Sequence, residues 1–234
     1  RGLGDVYKRQ MLLSALAMTW HLVHFHYVKF NKESMYEVSK KIILLCIPLL
    51  LSAQFIAGIL NEALDLTDTN QELFISMSHN IFGVLSIAIV VPILEEVLFR
   101  GAIEGHLLRK GWSPKWAILV SALIFGIIHG NPAQIPFAFL IGLLFGWLYY
   151  RTGSLVPGIV GHIINNSFGA WTMFTATREE LSQTTMETLG TTITYILLVL
   201  AIIVFIGMYL YLNKYLPKPT NIQVKAINEQ DITI

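Results

Sequence analysis

Residues 90–101 read VVPILEEVLFRG. Glu95, Glu96 and Arg100 stand inside an apolar run, where ionisable side chains are rare and mark a functional site by default. Glu96 and Arg100 are four apart, so they share a helix face and can pair. Glu95 is rotated by about 100° from Glu96 and points elsewhere. An ion pair bracing a helix bundle accounts for one glutamate and the arginine. It leaves the second glutamate without a partner, which is costly away from water. Two further polar groups sit in apolar surroundings: Phe125 and His129 in FGIIH, and His162, Asn165 and Asn166 in HIINN. Taken singly, His129 reads as an interfacial residue and Asn166 as a hydrogen bond between helices. Taken together, Glu, His, His and Asn are what is needed to activate a water and stabilise an oxyanion. A glutamate in a partly dry pocket suits the part of general base. Two histidines and a carboxylate, here His129, His162 and Glu95, are also a set that zinc accepts. The chain has no HExxH, so a metal site would have to assemble from three separate helices.

The elements that must position these residues are membrane helices. Of 234 residues, 54% are hydrophobic and 13% charged, against about 25% charged in a soluble domain. Mean hydropathy is +0.60. A spanning helix needs about 20 apolar residues. Seven spans are expected, at roughly 11–28, 42–60, 80–100, 116–130, 134–150, 155–175 and 191–213, the third extending to about 108. Pro92 is expected to kink that helix. Gly126 with Gly130, and Gly142 with Gly146, form small-residue steps for close packing.

Charge asymmetry orients the spans. Eleven Lys and Arg residues fall on loops of one side (Lys29, Lys32, Lys40, Lys41, Arg109, Lys110, Lys115, Arg151, Lys214, Lys218, Lys225), against Arg178 alone on the other. The basic side and the C-terminus are therefore expected in the cytoplasm of a multi-pass cell-membrane protein. The single cysteine, Cys46, rules out a disulfide framework and a cysteine metal cluster; it reads as lipid-facing or packed. Net charge of +1 without a basic run gives no sign of a nucleic-acid partner. Residues 1–10 look foreign to a chain opening at Met11, so the expected domain runs 11–215, with a tail at 216–234. His21, His24 and His26 read as interfacial, and Glu104 and His106 as the cytoplasmic end of the third helix.

The order EExxxR (95–100), FxxxH (125–129), HxxxN (162–166), on separate apolar segments, resembles the CPBP family of CAAX proteases and bacteriocin-processing enzymes, also called Abi. The resemblance covers roughly residues 80–175. It implies an all-α polytopic transmembrane helical bundle, often of eight spans, acting as an intramembrane endopeptidase. Carried over, Glu95 activates the attacking water, and Glu96 and Arg100 support it. His129 and His162 bind a metal such as zinc or position the water, Asn166 holds the oxyanion, and Phe125 shapes the pocket. Asn165 lies beside the motif and is not carried over. The implied substrate is a membrane-associated peptide or protein: a prenylated CAAX-like peptide, a bacterial leader or an envelope protein. The rival readings are a non-proteolytic scaffold or bacteriocin-immunity protein on the same fold, and a small transporter relaying protons through Glu95, Glu96 and His162.

Overall fold

The computed structural model describes residues 3–28, 38 and 40–216. Lys29, Lys32, Lys218, Lys225 and the tail from 217 onward lie outside the described residues. The described chain is helical: α1 Leu3–His24, α2 Lys40–Ala63, α3 Gln71–Ser78, α4 Ile81–Arg109, α5 Pro114–Ile127, α6 Ile135–Thr152, α7 Val156–Thr175, α8 Arg178–Ser182, α9 Thr185–Leu189 and α10 Thr191–Tyr215. It is an all-α membrane bundle. Residues 3–10 continue α1 without a break.

Each of the seven expected segments falls on a helix. Among the described residues, however, only α2, α4, α6 and α10 are both long and apolar enough to cross a membrane. Helix α5 has 14 residues, about 21 Å at 1.5 Å per residue, short of the roughly 30 Å hydrocarbon core. Helix α7 has 20 residues, but its His, Asn and Gly content dilutes its hydropathy. The count of seven crossings is thus not confirmed.

The core lies between α2, α6 and α10, where Cys46, Leu49, Phe145, Leu148 and Leu212 are each at most 1% exposed. Cys46 is therefore packed and not lipid-facing. Helix α10 packs on α2 but otherwise turns outward, with 6% of its apolar window buried. Helices α5 and α6 form a tight pair. A Cβ at Gly142 would stand 3.0 Å from the Phe125 ring and 3.3 Å from Ala122, so this small-residue step does bring helices together. Gly130 is different. It lies past the end of α5 at φ +60°, a left-handed turn that favours glycine, and is not a packing position.

Helix α4 carries the first motif and is not uniform. It reaches Arg109, as the extended reading requires, with Glu95 at its midpoint. Two stretches, Ser86–Val90 and Val97–Glu104, are π-helical, the wide i→i+5 turn often found at functional sites. The first explains how Pro92 is tolerated. Val91 N–H donates to Ser86 O, five residues back. In that register the next bond would run from residue 92 to Ile87 O, and proline has no N–H to make it.

On the α8–α9 side, Thr177 and Thr184 each close a capping box with Glu180 and Glu187. Those bonds from threonine backbone and hydroxyl hold both carboxyls below their ordinary range. Arg178 pairs with Glu72, and Glu62 accepts from Thr185 N (3.0 Å) and Oγ1 (2.6 Å). These contacts tie the segment to α3 and to the end of α2.

Candidate active site

Helices α4 and α7 bring the first and third motifs into contact. Arg100 donates from Nη1 to Glu96 Oε1 (3.1 Å) and from Nη2 to the Gly142 carbonyl (3.0 Å). The same Glu96 oxygen lies 3.1 Å from His162 Nδ1. An oxygen already paired with a guanidinium accepts, so His162 donates its Nδ1–H. That bond sets the tautomer and turns Nε2 toward Glu95. The gap from Nε2 to Glu95 Oε2 is 3.4 Å. Arg100, Glu96, His162 and Glu95 therefore form one connected chain. Exposure sorts the two glutamates: the side chain of Glu96 is 1% exposed and that of Glu95 17%. Glu95 opens into a cavity of about 490 Å³, within the range of small-ligand sites, while Glu96 is sealed behind it.

The second motif reaches the same cavity. His129 Nδ1 donates to Phe125 O (2.7 Å), leaving Nε2 unspent. The Phe125 ring is the spacer, edge-on to His129 (5.0 Å) and to His162 (5.8 Å). The Arg100 guanidinium lies over its face at 4.5 Å, a cation–π contact. Asn166 lines the cavity but has a structural task as well. Its Nδ2 donates to Ile87 O (2.9 Å), the carbonyl that Pro92 orphans. All seven residues expected of the site are thus near one another. Glu95, Glu96, Arg100 and His162 touch directly, and Phe125, His129 and Asn166 complete the wall.

Among the described residues, no group of three His, Cys, Asp or Glu side chains is arranged to hold a metal ion. Glu95, His129 and His162 are thus not drawn together into such a group in this structure, and no step is derived through a metal. Each ring uses Nδ1, His162 toward Glu96 and His129 toward Phe125 O, which leaves Nε2 of both unprotonated.

Several residues escaped the sequence reading. Glu104, expected at an interface, is fully buried. On an α-helix, positions four and eight beyond Glu96 drift by about 40° and about 80°. The wide π turn reduces that drift, so Glu96, Arg100 and Glu104 all face inward. Gly158 carries no chemistry, yet a Cβ there would stand 2.6 Å from Glu96 Oε2. Gly158→Ala should destabilise by about 1–3 kcal/mol through overpacking, read as a lowered thermal midpoint; an unchanged midpoint would show that Glu96 can move. Asn131 is buried and bonds Thr69 N (3.1 Å) and Asp68 Oδ1 (2.8 Å), fastening the loop before α3 to the turn after His129. In sequence it reads only as a turn residue after Gly130.

The link between Pro92 and Asn166 makes its own prediction. Asn166→Ala leaves the buried Ile87 carbonyl without a partner, at about 1–3 kcal/mol. In a Pro92→Ala background a backbone N–H is available, so the same change should cost less than half as much. A double-mutant cycle in thermal stability checks this; equal costs in both backgrounds would refute the link.

Comparison with known proteins bears on the same segment. The family described as "Type II CAAX prenyl endopeptidase Rce1-like" matches residues 77–168. YdiL of Bacillus subtilis, which bears the name of a membrane peptidase, is 38% identical over 81 residues, 35% of this chain and 33% of YdiL. The membrane-embedded CAAX protease MroQ of Staphylococcus aureus is 33% identical over 106 residues, 43% of this chain and 42% of MroQ. The UPF0177 protein YxdF of Lactococcus lactis is 28% identical over 122 residues, 52% of this chain and 63% of YxdF. The chain therefore spans from a third to under two thirds of the length of these relatives. No solved structure matches it significantly. The three motifs and the family match fall on the same stretch, residues 77–168, and it is over this stretch that the chain is similar to CAAX-protease-like membrane proteins.

Proposed function

We propose that the protein is an intramembrane endopeptidase that hydrolyses a peptide bond by glutamate-activated water. One observation carries this reading: of the carboxylates in the buried cluster, Glu95 alone opens to the cavity, with His162, Glu96 and Arg100 braced behind it. A water held between Glu95 and the His129 side of the cavity loses a proton to the Glu95 carboxylate as its oxygen attacks the scissile carbonyl carbon. The carbonyl oxygen becomes an oxyanion, stabilised by the Asn166 amide N–H, while His129 Nε2 accepts from the water and positions it. The tetrahedral centre collapses, the C–N bond breaks, and the proton held by Glu95 passes to the leaving amine. His162, oriented by Glu96, presents the lone pair of its Nε2 to the Glu95 carboxyl while that group carries the proton.

The substrate is a membrane-associated peptide or protein. The cavity walls include Phe74, Met77, Phe137, Phe168 and Met173, which suits uncharged, bulky side chains beside the scissile bond. A prenylated CAAX-like peptide is the first candidate because MroQ is named a CAAX protease; a bacterial leader or envelope protein is the second. The basic loops and the C-terminus face the cytoplasm on the charge asymmetry.

The test is cleavage of a membrane-peptide library, including a farnesylated CAAX peptide, by purified full chain. Wild type, Glu95→Gln and a chelator-treated sample run in parallel. Cleavage that is lost in the variant and survives chelation is expected. Cleavage that persists in Glu95→Gln removes the mechanism, and cleavage lost to chelator and restored by zinc assigns the water to a metal. Folded protein that cuts nothing, with a phenotype insensitive to Glu95, favours a scaffold braced by the same cluster.

A further inference from the structure

Asn165 belongs to none of the three motifs, yet its side chain lines the cavity beside Glu95 and His162. Its Nδ2 donates to Asn166 Oδ1 (3.0 Å). The direction of that bond is forced from the far end. Ile87 O is a carbonyl and can only accept, so Asn166 must turn its nitrogen toward it. Asn166 Oδ1 then faces Asn165 and calls for a donor there. An asparagine held at one end only can rotate and present its oxygen to a substrate. An oxygen placed against a developing oxyanion repels it, whereas an N–H stabilises it. Bonds at both ends leave Asn166 one amide orientation.

We propose that Asn165 is a positioning residue that locks the amide of Asn166 for oxyanion stabilisation. This rests on the endopeptidase reading above. The lock couples the two asparagines to α4: Pro92 orphans Ile87 O, Ile87 O fixes Asn166, and Asn165 closes the chain from the cavity side. The bond from Asn165 to Asn166 joins neighbours on one helix, so its loss should alter chemistry more than global stability.

The experiment uses full chain in detergent, selectively ¹⁵N-labelled at asparagine, as wild type, Asn165→Asp and Asn165→Gln. The aspartate keeps the shape and has no N–H to give; the glutamine keeps an amide donor. Asn165→Asp is expected to lower kcat about 10-fold, the worth of one hydrogen bond, with KM within about twofold and the thermal midpoint unchanged. Asn165→Gln should recover most of kcat. The side-chain amide of Asn166 should exchange hydrogen faster in Asn165→Asp than in wild type. Unchanged kcat, or a rise in KM alone, overturns the proposal. Wild type without turnover overturns the endopeptidase reading instead, and the Asn166 exchange rate then decides the lock: the same rate in both proteins overturns it.

Discussion

Glu95→Gln stops peptide hydrolysis, lowering turnover by about 10²–10⁴-fold, the range a positioned general base supplies. The substitution keeps the shape of the side chain and removes only its capacity to take a proton. The thermal midpoint should hold within about 2–4 °C, the shift that a change of about 1 kcal/mol makes in a chain of this size. The physical reason is position. Glu95 faces the cavity, and its one close polar neighbour is His162 Nε2 at 3.4 Å, so no tight buried pair depends on its charge. Glu96→Gln makes the contrast. That side chain is sealed and pairs with both Arg100 and His162, so its loss should lower activity and stability together. If Glu95→Gln keeps turnover within threefold of wild type, Glu95 is not the base. If it unfolds the protein, the separation of roles between the two glutamates fails.

Arg100→Met carries the largest expected effect on stability. Arg100 is 1% exposed, bonded to Glu96 and to the Gly142 carbonyl, and it packs over the rings of Phe125 and Phe145. Removing one partner of a buried pair leaves the other uncompensated and costs about 3–5 kcal/mol. It also frees Glu96, and with it the bond that orients His162, so activity should fall even where protein remains folded. Adding Glu96→Gln to Arg100→Met should recover much of the stability, because both charges then leave together, but none of the activity. Thermal unfolding of the two single variants and the double variant checks this. Additive losses would show that the pair is not coupled, and the reading of Arg100 as the brace behind the site would fall.

The chemistry of the site was legible in the sequence because a hydrocarbon environment makes every ionisable residue conspicuous. Glu95, Glu96, Arg100, His129 and His162 stand out against their neighbours, and the order of their motifs points to one family. The contact of Glu96 with Arg100 was readable too, since i, i+4 spacing is a local rule. Helix positions were equally plain from the apolar runs. The number of crossings was not, because an apolar stretch shows only that a segment can be buried. Whether it spans depends on where its helix ends: α5 stops at Ile127, two residues short of His129.

What the sequence determined by itself, then, is the helical membrane class, the residue types of the site and their local pairing. Tertiary structure decided which glutamate faces the cavity, since helix α7 covers Glu96 through Gly158 and His162 and leaves Glu95 open. It also decided that Glu104 turns inward and that Asn166 answers the carbonyl Pro92 leaves unpaired. These outcomes share one cause. Periodicity arguments assume 3.6 residues per turn, and α4 departs from that at Ser86–Val90 and Val97–Glu104. A wide turn forms only where packing and hydrogen bonds from other helices favour it, and those partners lie far away in sequence.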